Sequence, residues 1–107
     1  MDSIIFLISE KKYQDRFGAW QSETVKRRLL CRVNSIDDTE FYEAGRTGLN
    51  PEVRVTVFHA DYHGEIKCRF ETNDYSIYRT KKIPNSDYIE LYLARKGGSN
   101  GQKSDDR

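Results

Sequence analysis

Between Asp38 and Glu52 the chain reads DTEFYEAGRTGLNPE, and this stretch interrupts two segments that alternate like β-strands. On its N-terminal side, Val25, Leu29, Cys31 and Val33 share one face of a strand over Thr24–Ser35, and Arg28, Leu30, Arg32 and Asn34 share the other. On its C-terminal side, Val53, Val55 and Val57 oppose Arg54, Thr56 and Phe58. A period of two is the mark of a sheet with one face buried. The stretch itself has no such period and is too long for a hairpin turn. Asp37 can cap a helix, and Glu40 three residues later completes a capping-box pair. Phe41, Tyr42 and Ala44 fit one or two helical turns, Gly45 and Gly48 offer stops, and Leu49 and Pro51 lead back into strand. The spacing predicts a short helix and a long loop projecting between the second and third strands.

Working outward, Ile4–Ser9 is a compact apolar run that suits a strand buried on both faces or lying at a tight packing edge. YQDRFGAWQSE (Tyr13–Glu23), with Gly18 inside it, reads as the loop of a long hairpin. DYHG (Asp61–Gly64) has the chemistry of a type I turn followed by a left-handed glycine. Ile66, Cys68 and Phe70 then alternate with Lys67 and Arg69. TNDY centres a two-residue turn on Asn73 and Asp74, which would set Phe70 opposite Ile77. Pro84, in KKIPNSD, forbids ladder pairing. In the last strand, YIELYLA, Ile89, Leu91 and Leu93 face inward and Tyr88, Glu90 and Tyr92 outward. The simplest register puts Ile77 opposite Leu91 and Tyr78 opposite Glu90, with Tyr88 and Tyr92 diagonal to Tyr78. Six strands in a meander predict a mainly β protein, a small six-stranded antiparallel β-barrel. Residues 1–96 form one domain. Residues 97–107, which hold no apolar side chain, are expected to be a disordered polar tail.

Composition narrows the function classes. The chain has 107 residues, the length of one domain, and is 36% hydrophobic. Its mean hydropathy is −0.83, a thin apolar supply for a self-sufficient globule. Eighteen Lys and Arg against 17 Asp and Glu leave a net charge of +1, not the basic excess of a protein-wide grip on nucleic acid. The N-terminal apolar run is too short for a membrane span and lacks the basic flank of a signal peptide. The two cysteines, Cys31 and Cys68, lack metal-ligand spacing and lie on inward faces, as free thiols of a reducing compartment would. His59 and His63 are four apart, but across a turn, so the geometry of a helical zinc pair is missing. No spacing of nucleophile, base or phosphate-cradling glycines points to catalysis or a cofactor. Lys26, Arg27, Arg28 and Arg32 form a basic run that is either a solvated strand face or a contact for a polyanion. Tyr78, Tyr88 and Tyr92 on one outer face make either a contact patch or a ladder that stiffens the sheet.

The motifs C-x-V-x-S, E-F-Y-x-A-G-x-x-G-L-x-P-E, A-D-Y-x-G-E, Y-x-I-Y-R-T and D-x-I-E-L-Y follow one another from Cys31 to Tyr92. A D-x-x-G-x-W stretch (Asp15, Gly18, Trp20) precedes them. In this order and spacing the chain resembles the head closure proteins of tailed phages and prophages of Gram-positive hosts, also called head–tail adaptor, joining or stopper proteins. The resemblance covers most of the predicted domain. It departs from the family pattern at Asn73-Asp74, where a glycine is expected, and in its longer, more polar tail.

The resemblance implies a non-enzymatic structural protein of the virion neck, assembled in the host bacterial cytoplasm. It implies a ring, commonly of twelve subunits, that joins the portal and its adaptor to tail-side proteins and helps retain packaged DNA. Asp37, Asp38, Glu40, Phe41, Tyr42, Arg46 and Leu49 would then meet the adaptor, a ring neighbour or DNA in the channel. Trp20, Tyr78, Tyr88 and Tyr92 are the expected interface aromatics. No cofactor, metal, small molecule or membrane is expected. The alternative from the residues alone is a stand-alone nucleic-acid-binding barrel that uses Lys26, Arg27, Arg28 and Arg32.

Overall fold

The computed structural model describes residues 2–95. The polar tail expected at 97–107 lies outside the described residues. The elements are β1 (Asp2–Gln14), β2 (Trp20–Asn34), α1 (Asp38–Gly45), β3 (Asn50–Phe58), a 3₁₀ turn (His59–Asp61), β4 (Lys67–Phe70), β5 (Asn73–Lys82) and β6 (Tyr88–Arg95). The six antiparallel strands close a barrel in the order β1-β2-β3-β6-β5-β4. The mainly β class, the strand number, the closure and the short helix between β2 and β3 agree with the sequence reading.

The path around the barrel is not a simple meander. β3 and β4 are consecutive in the chain but not neighbours: β3 pairs with β6 (Val55↔Leu91, Val57↔Ile89) and β4 closes onto β1 (Leu7↔Cys68). The reversal after β3 falls at His59–Tyr62, where the Tyr62 N–H donates to the His59 carbonyl at 3.2 Å, two residues earlier than predicted. Gly64 does hold the left-handed φ of +88° expected of it. Segment 59–66 crosses the barrel end instead of turning back on itself, and Ile66, predicted inward, is left exposed.

The alternating faces meet as a closed core. Ile5, Leu7, Leu29, Cys31, Val55, Val57, Cys68, Phe70, Tyr75, Ile77, Ile89, Leu91 and Leu93 are all buried in one cluster. Both cysteines are free and interior. Burial raises the Cys31 thiol to about 11 and the Cys68 thiol to about 12, the charges of Asp2 and Asp74 adding to this respectively. Both therefore stay protonated and behave as small apolar side chains.

Two registers differ from prediction. The β4–β5 turn is Glu71-Thr72, with Phe70 opposite Asn73 and Cys68 opposite Tyr75. This turn, two residues earlier, makes Arg69 and Asp74 cross-strand partners, Arg69 Nε and Nη2 donating to the two carboxylate oxygens at 2.8 and 3.2 Å. It holds Glu71 at φ +58°, at a cost of about 1–2 kcal/mol for a non-glycine residue. Between β5 and β6, Ile77 faces Leu93, not Leu91, and the register shifts between Ile77 and Arg79. Tyr78 is the extra residue of this bulge, so Tyr78 and Arg79 both reach the outer side of β6.

Candidate interaction surfaces

The largest departure from the sequence reading is which element projects. Tyr13–Glu23 was expected to be loop, yet β1 and β2 stay paired to Gln14↔Trp20, leaving only residues 15–19 as the turn. β1 meets β4 only over Ile5–Ile8, and β2 meets β3 only over Arg32–Asn34. From Ser9 to Val25 the hairpin therefore runs free as a two-stranded arm, reaching roughly 16–20 Å past the barrel at the rise of a strand. Alternation does not sustain it, because no core lies under either face. The ladder and a clasped tip do. Asp15 Oδ1 accepts from the Phe17 and Ala19 N–H groups at 2.9 and 3.0 Å, Oδ2 accepts from Gln21 Nε2 at 3.1 Å, and Gly18 takes φ +81°. These bonds, that from Gln21 first, hold the Asp15 carboxyl below its ordinary value. The clasp presents Phe17 at 86% exposure and Trp20 at 70%. Trp20 thus sits in a strand, on the surface, as an interface aromatic would.

The Asp37–Glu52 segment, expected to project, is instead held against the barrel at α1. Asp37 caps the helix as predicted, its Oδ1 accepting from the Glu40 N–H at 2.8 Å. The Glu40 carboxylate does not complete a capping box. It turns to the barrel, accepting from Tyr78 Oη at 2.7 Å and pairing with Arg79 at 3.0 Å. Ala44 is buried, and α1 packs on β3. After Gly45 the chain leaves through Gly48 (φ +87°), and the Leu49 N–H donates to the Ala44 carbonyl at 3.2 Å. Leu49 is half-buried, and Arg46 makes an exposed 3.7 Å pair with Glu43. Asp38, Phe41 and Tyr42 (75%) remain exposed on the helix's outer side.

The tyrosines split into two groups. Tyr78 meets Tyr92 edge to face, centroids 6.1 Å apart, as expected. Yet Tyr92 is only 3% exposed, because the bulge lays Arg79 over its ring at 4.3 Å and Tyr78 beside it. Its hydroxyl donates to Glu90 at 3.3 Å, and Glu90 pairs with the half-buried Arg54 at 3.6 Å. Burial, then the bond to Glu40, raises the Tyr78 pKa. Tyr78 and Tyr92 thus belong to a polar network that seats α1, which corrects their reading as exposed contact residues. Tyr88 lies apart, stacked on Phe58 with centroids 5.1 Å apart and rings 8° from parallel.

The basic run also divides. Arg27 Nη2 donates to Glu65 Oε2 at 2.7 Å and to the Asp61 carbonyl at 2.5 Å. Glu65, 8% exposed, accepts the His63 N–H at 2.9 Å through its other oxygen. Burial pushes this carboxyl up, but the bonds from Arg27 and His63 outweigh it and the net shift is downward. The pair pins the 59–66 crossover to the base of the arm. No local pattern announced it, since its two members lie 38 positions apart. Lys26, Arg28 and Arg32 stay exposed. Where β2 parts from β3, a groove of about 790 Å³ opens beside Leu30, Phe58 and Tyr88. Among the described residues no three His, Cys, Asp or Glu side chains gather as a metal site. No described helix is long and apolar enough to cross a membrane.

The fold and its surfaces define a small closed β-barrel that carries exposed aromatic side chains at the arm tip, on the outer ridge of α1 and at the Phe58–Tyr88 stack. Compared with known proteins, the chain matches no family model and no curated protein.

Proposed function

We propose that this protein is a structural component of a phage head–tail connector: a ring-forming head closure protein that joins portal and adaptor to the tail and helps retain packaged DNA. One observation carries the reading beyond the motif resemblance. A chain poor in apolar residues places Phe17 and Trp20 at the end of a two-stranded arm, where nothing in its own barrel covers them. Aromatic side chains held clear of the core are the material of contact surfaces. The barrel below is closed and its core filled by side chains, which suits a scaffold more than a reaction vessel. Partner contacts shift accordingly from the Asp37–Glu52 loop as a whole to the arm tip and to Asp38, Phe41 and Tyr42.

Deleting the gene from the phage or prophage that encodes it tests the proposal. The expected outcome is tailless heads, or heads that have packaged and lost their DNA, with rescue by the wild-type chain and not by Phe17→Ser/Trp20→Ser. Normal infectious particles from the deletion would refute it.

A further inference from the structure

Ile5 and Leu7 point into the barrel, so Ile4, Phe6 and Ile8 point out. These three are half-buried on the outer face of β1, with exposed Leu30 as the cross-strand partner of Ile4. The stripe is edged with cations. Arg28 lies opposite Phe6 and Lys26 opposite Ile8 on β2, and Lys67 lies opposite Ile8 on β4. All three are exposed. Arg69, beside Phe6, is engaged by Asp74. The face's other acids, Asp2 and Glu10, sit at the two ends of the stripe, and Glu10 holds the Thr24 hydroxyl at 2.8 Å. The stripe is thus an apolar strip with a positive border.

Among the described residues, α1 carries a complementary shape. On α1, Asp38, Phe41, Tyr42 and Gly45 fall at helical i, i+3, i+4 and i+7 spacing and form one outer ridge, with Glu43 exposed beside it. Glu40, the remaining acid of the helix, is turned inward to Tyr78 and Arg79. The ridge is aromatic and acidic at Asp38, while Glu43 is shared with the exposed Arg46 at 3.7 Å, and each ring can bury roughly 150–250 Å². In the cyclic strand order, β1 stands opposite β6, and α1 is fastened over β5 and β3, which flank β6. The two surfaces therefore lie on opposite sides of the barrel, and one molecule cannot satisfy both by itself. Complementary faces on opposite sides give a head-to-tail contact, which closes into a ring when the rotation per subunit allows.

We infer that the chain associates head to tail, the acidic aromatic ridge of α1 on one copy seating on the cation-edged β1 stripe of the next. This rests on the ring-forming reading and names the surfaces that make the ring. It leaves the arm tip free for unlike partners.

The test uses the full chain, isotope-labelled, and follows amide shifts as concentration rises. Arg28→Glu/Lys67→Glu alters the stripe, and Phe41→Ala/Tyr42→Ala alters the ridge. All four positions are exposed, and an unchanged dispersion of the remaining amides confirms the fold. The wild type should shift at both surfaces, and each variant alone should associate about tenfold more weakly, the first through like charges across the contact and the second through lost aromatic contact. Mixed, the two variants should pair one to one and stop there, because each keeps one competent face. Association through other residues, or a mixture no better than either variant, overturns this interface and leaves the ring. A wild type that stays monomeric at its highest soluble concentration overturns the interface and counts against the ring itself. Shifts at Lys26, Arg28 and Lys67 on adding a DNA oligonucleotide, without self-association, would assign the stripe to nucleic acid and overturn the inference.

Discussion

β1 and β2 pass from the barrel into the arm without a break in their ladder, yet the two halves are held by different forces. In the barrel half, Ile5 pairs with Leu29 on β2 and Phe70 on β4, Leu7 pairs with Cys68 on β4, and all of them are buried from water. In the arm half, from Glu10 to Thr24, almost every side chain is exposed, and what remains is the backbone ladder and the Asp15 clasp. The same secondary structure is thus a consequence of burial in one place and of turn chemistry in the other. A strand need not be amphipathic when its partner is fixed by a two-ended constraint: barrel closure below and a clasped turn above.

The sharpest way to break this contrast is to attack the barrel half. Leu91 is fully buried between β3 and β5. Leu91→Ala should lower stability by about 2–5 kcal/mol, a large part of what a domain of this size has. Urea unfolding monitored by the barrel tyrosines measures it. A loss under about 1 kcal/mol would mean that the barrel, like the arm, owes little to its core.

A smaller effect is expected at the junction of the two halves. Glu65→Gln removes the charge that Arg27 and the His63 N–H hold, at an expected cost of about 1–2 kcal/mol near neutral pH, Arg27 being partly open to water. The sign of its pH dependence is fixed. The folded carboxyl lies below its ordinary value near 4.5, so its contribution is present above that value and disappears as pH falls through the folded one. The stability gap between wild type and variant should therefore be widest near neutrality and close in acid below about pH 4.5. A gap that persists unchanged in acid would place the effect in packing and not in charge.

The barrel half was the legible half. Val55 and Val57, Cys68 and Phe70, and Ile89, Leu91 and Leu93 each announced their face by alternation, and all are buried. Asp37 announced its cap because capping is local. The arm was not legible: periodicity reports a core, and from Glu10 to Thr24 there is none to report. The seat of α1 was hidden for another reason. Glu40 was read with its neighbours as half of a capping box, while its partners Tyr78 and Arg79 come from a distant strand through a bulge that no residue type signals. Tyr92 was misread with them, since its burial depends on Arg79 lying across its ring. Glu71 at positive φ likewise defeated a turn rule that favours Asn73 and Asp74. Local chemistry and period are visible in a sequence, and cross-barrel pairing is not.

The smallest expected effect on stability comes from removing the arm altogether. Glu10 and Thr24 are cross-strand partners, so an Asn-Gly turn inserted between them can replace residues 11–23 without altering the register of the barrel half. An isolated two-stranded hairpin is marginal in water, so the distal arm should add nothing to the barrel beyond about 0.5 kcal/mol, within the range of surface changes. Urea unfolding of the truncated chain should overlay that of the wild type, while the same chain fails to restore infectious particles to the gene deletion. Lowered stability would show that the clasp at Asp15 supports the barrel from a distance and that the two halves are one cooperative unit. Full stability together with full infectivity would leave the arm without a purpose and transfer the whole burden of contact to α1 and the β1 stripe. Unchanged folding with lost assembly is the outcome expected of an element whose cost is accepted for its partners.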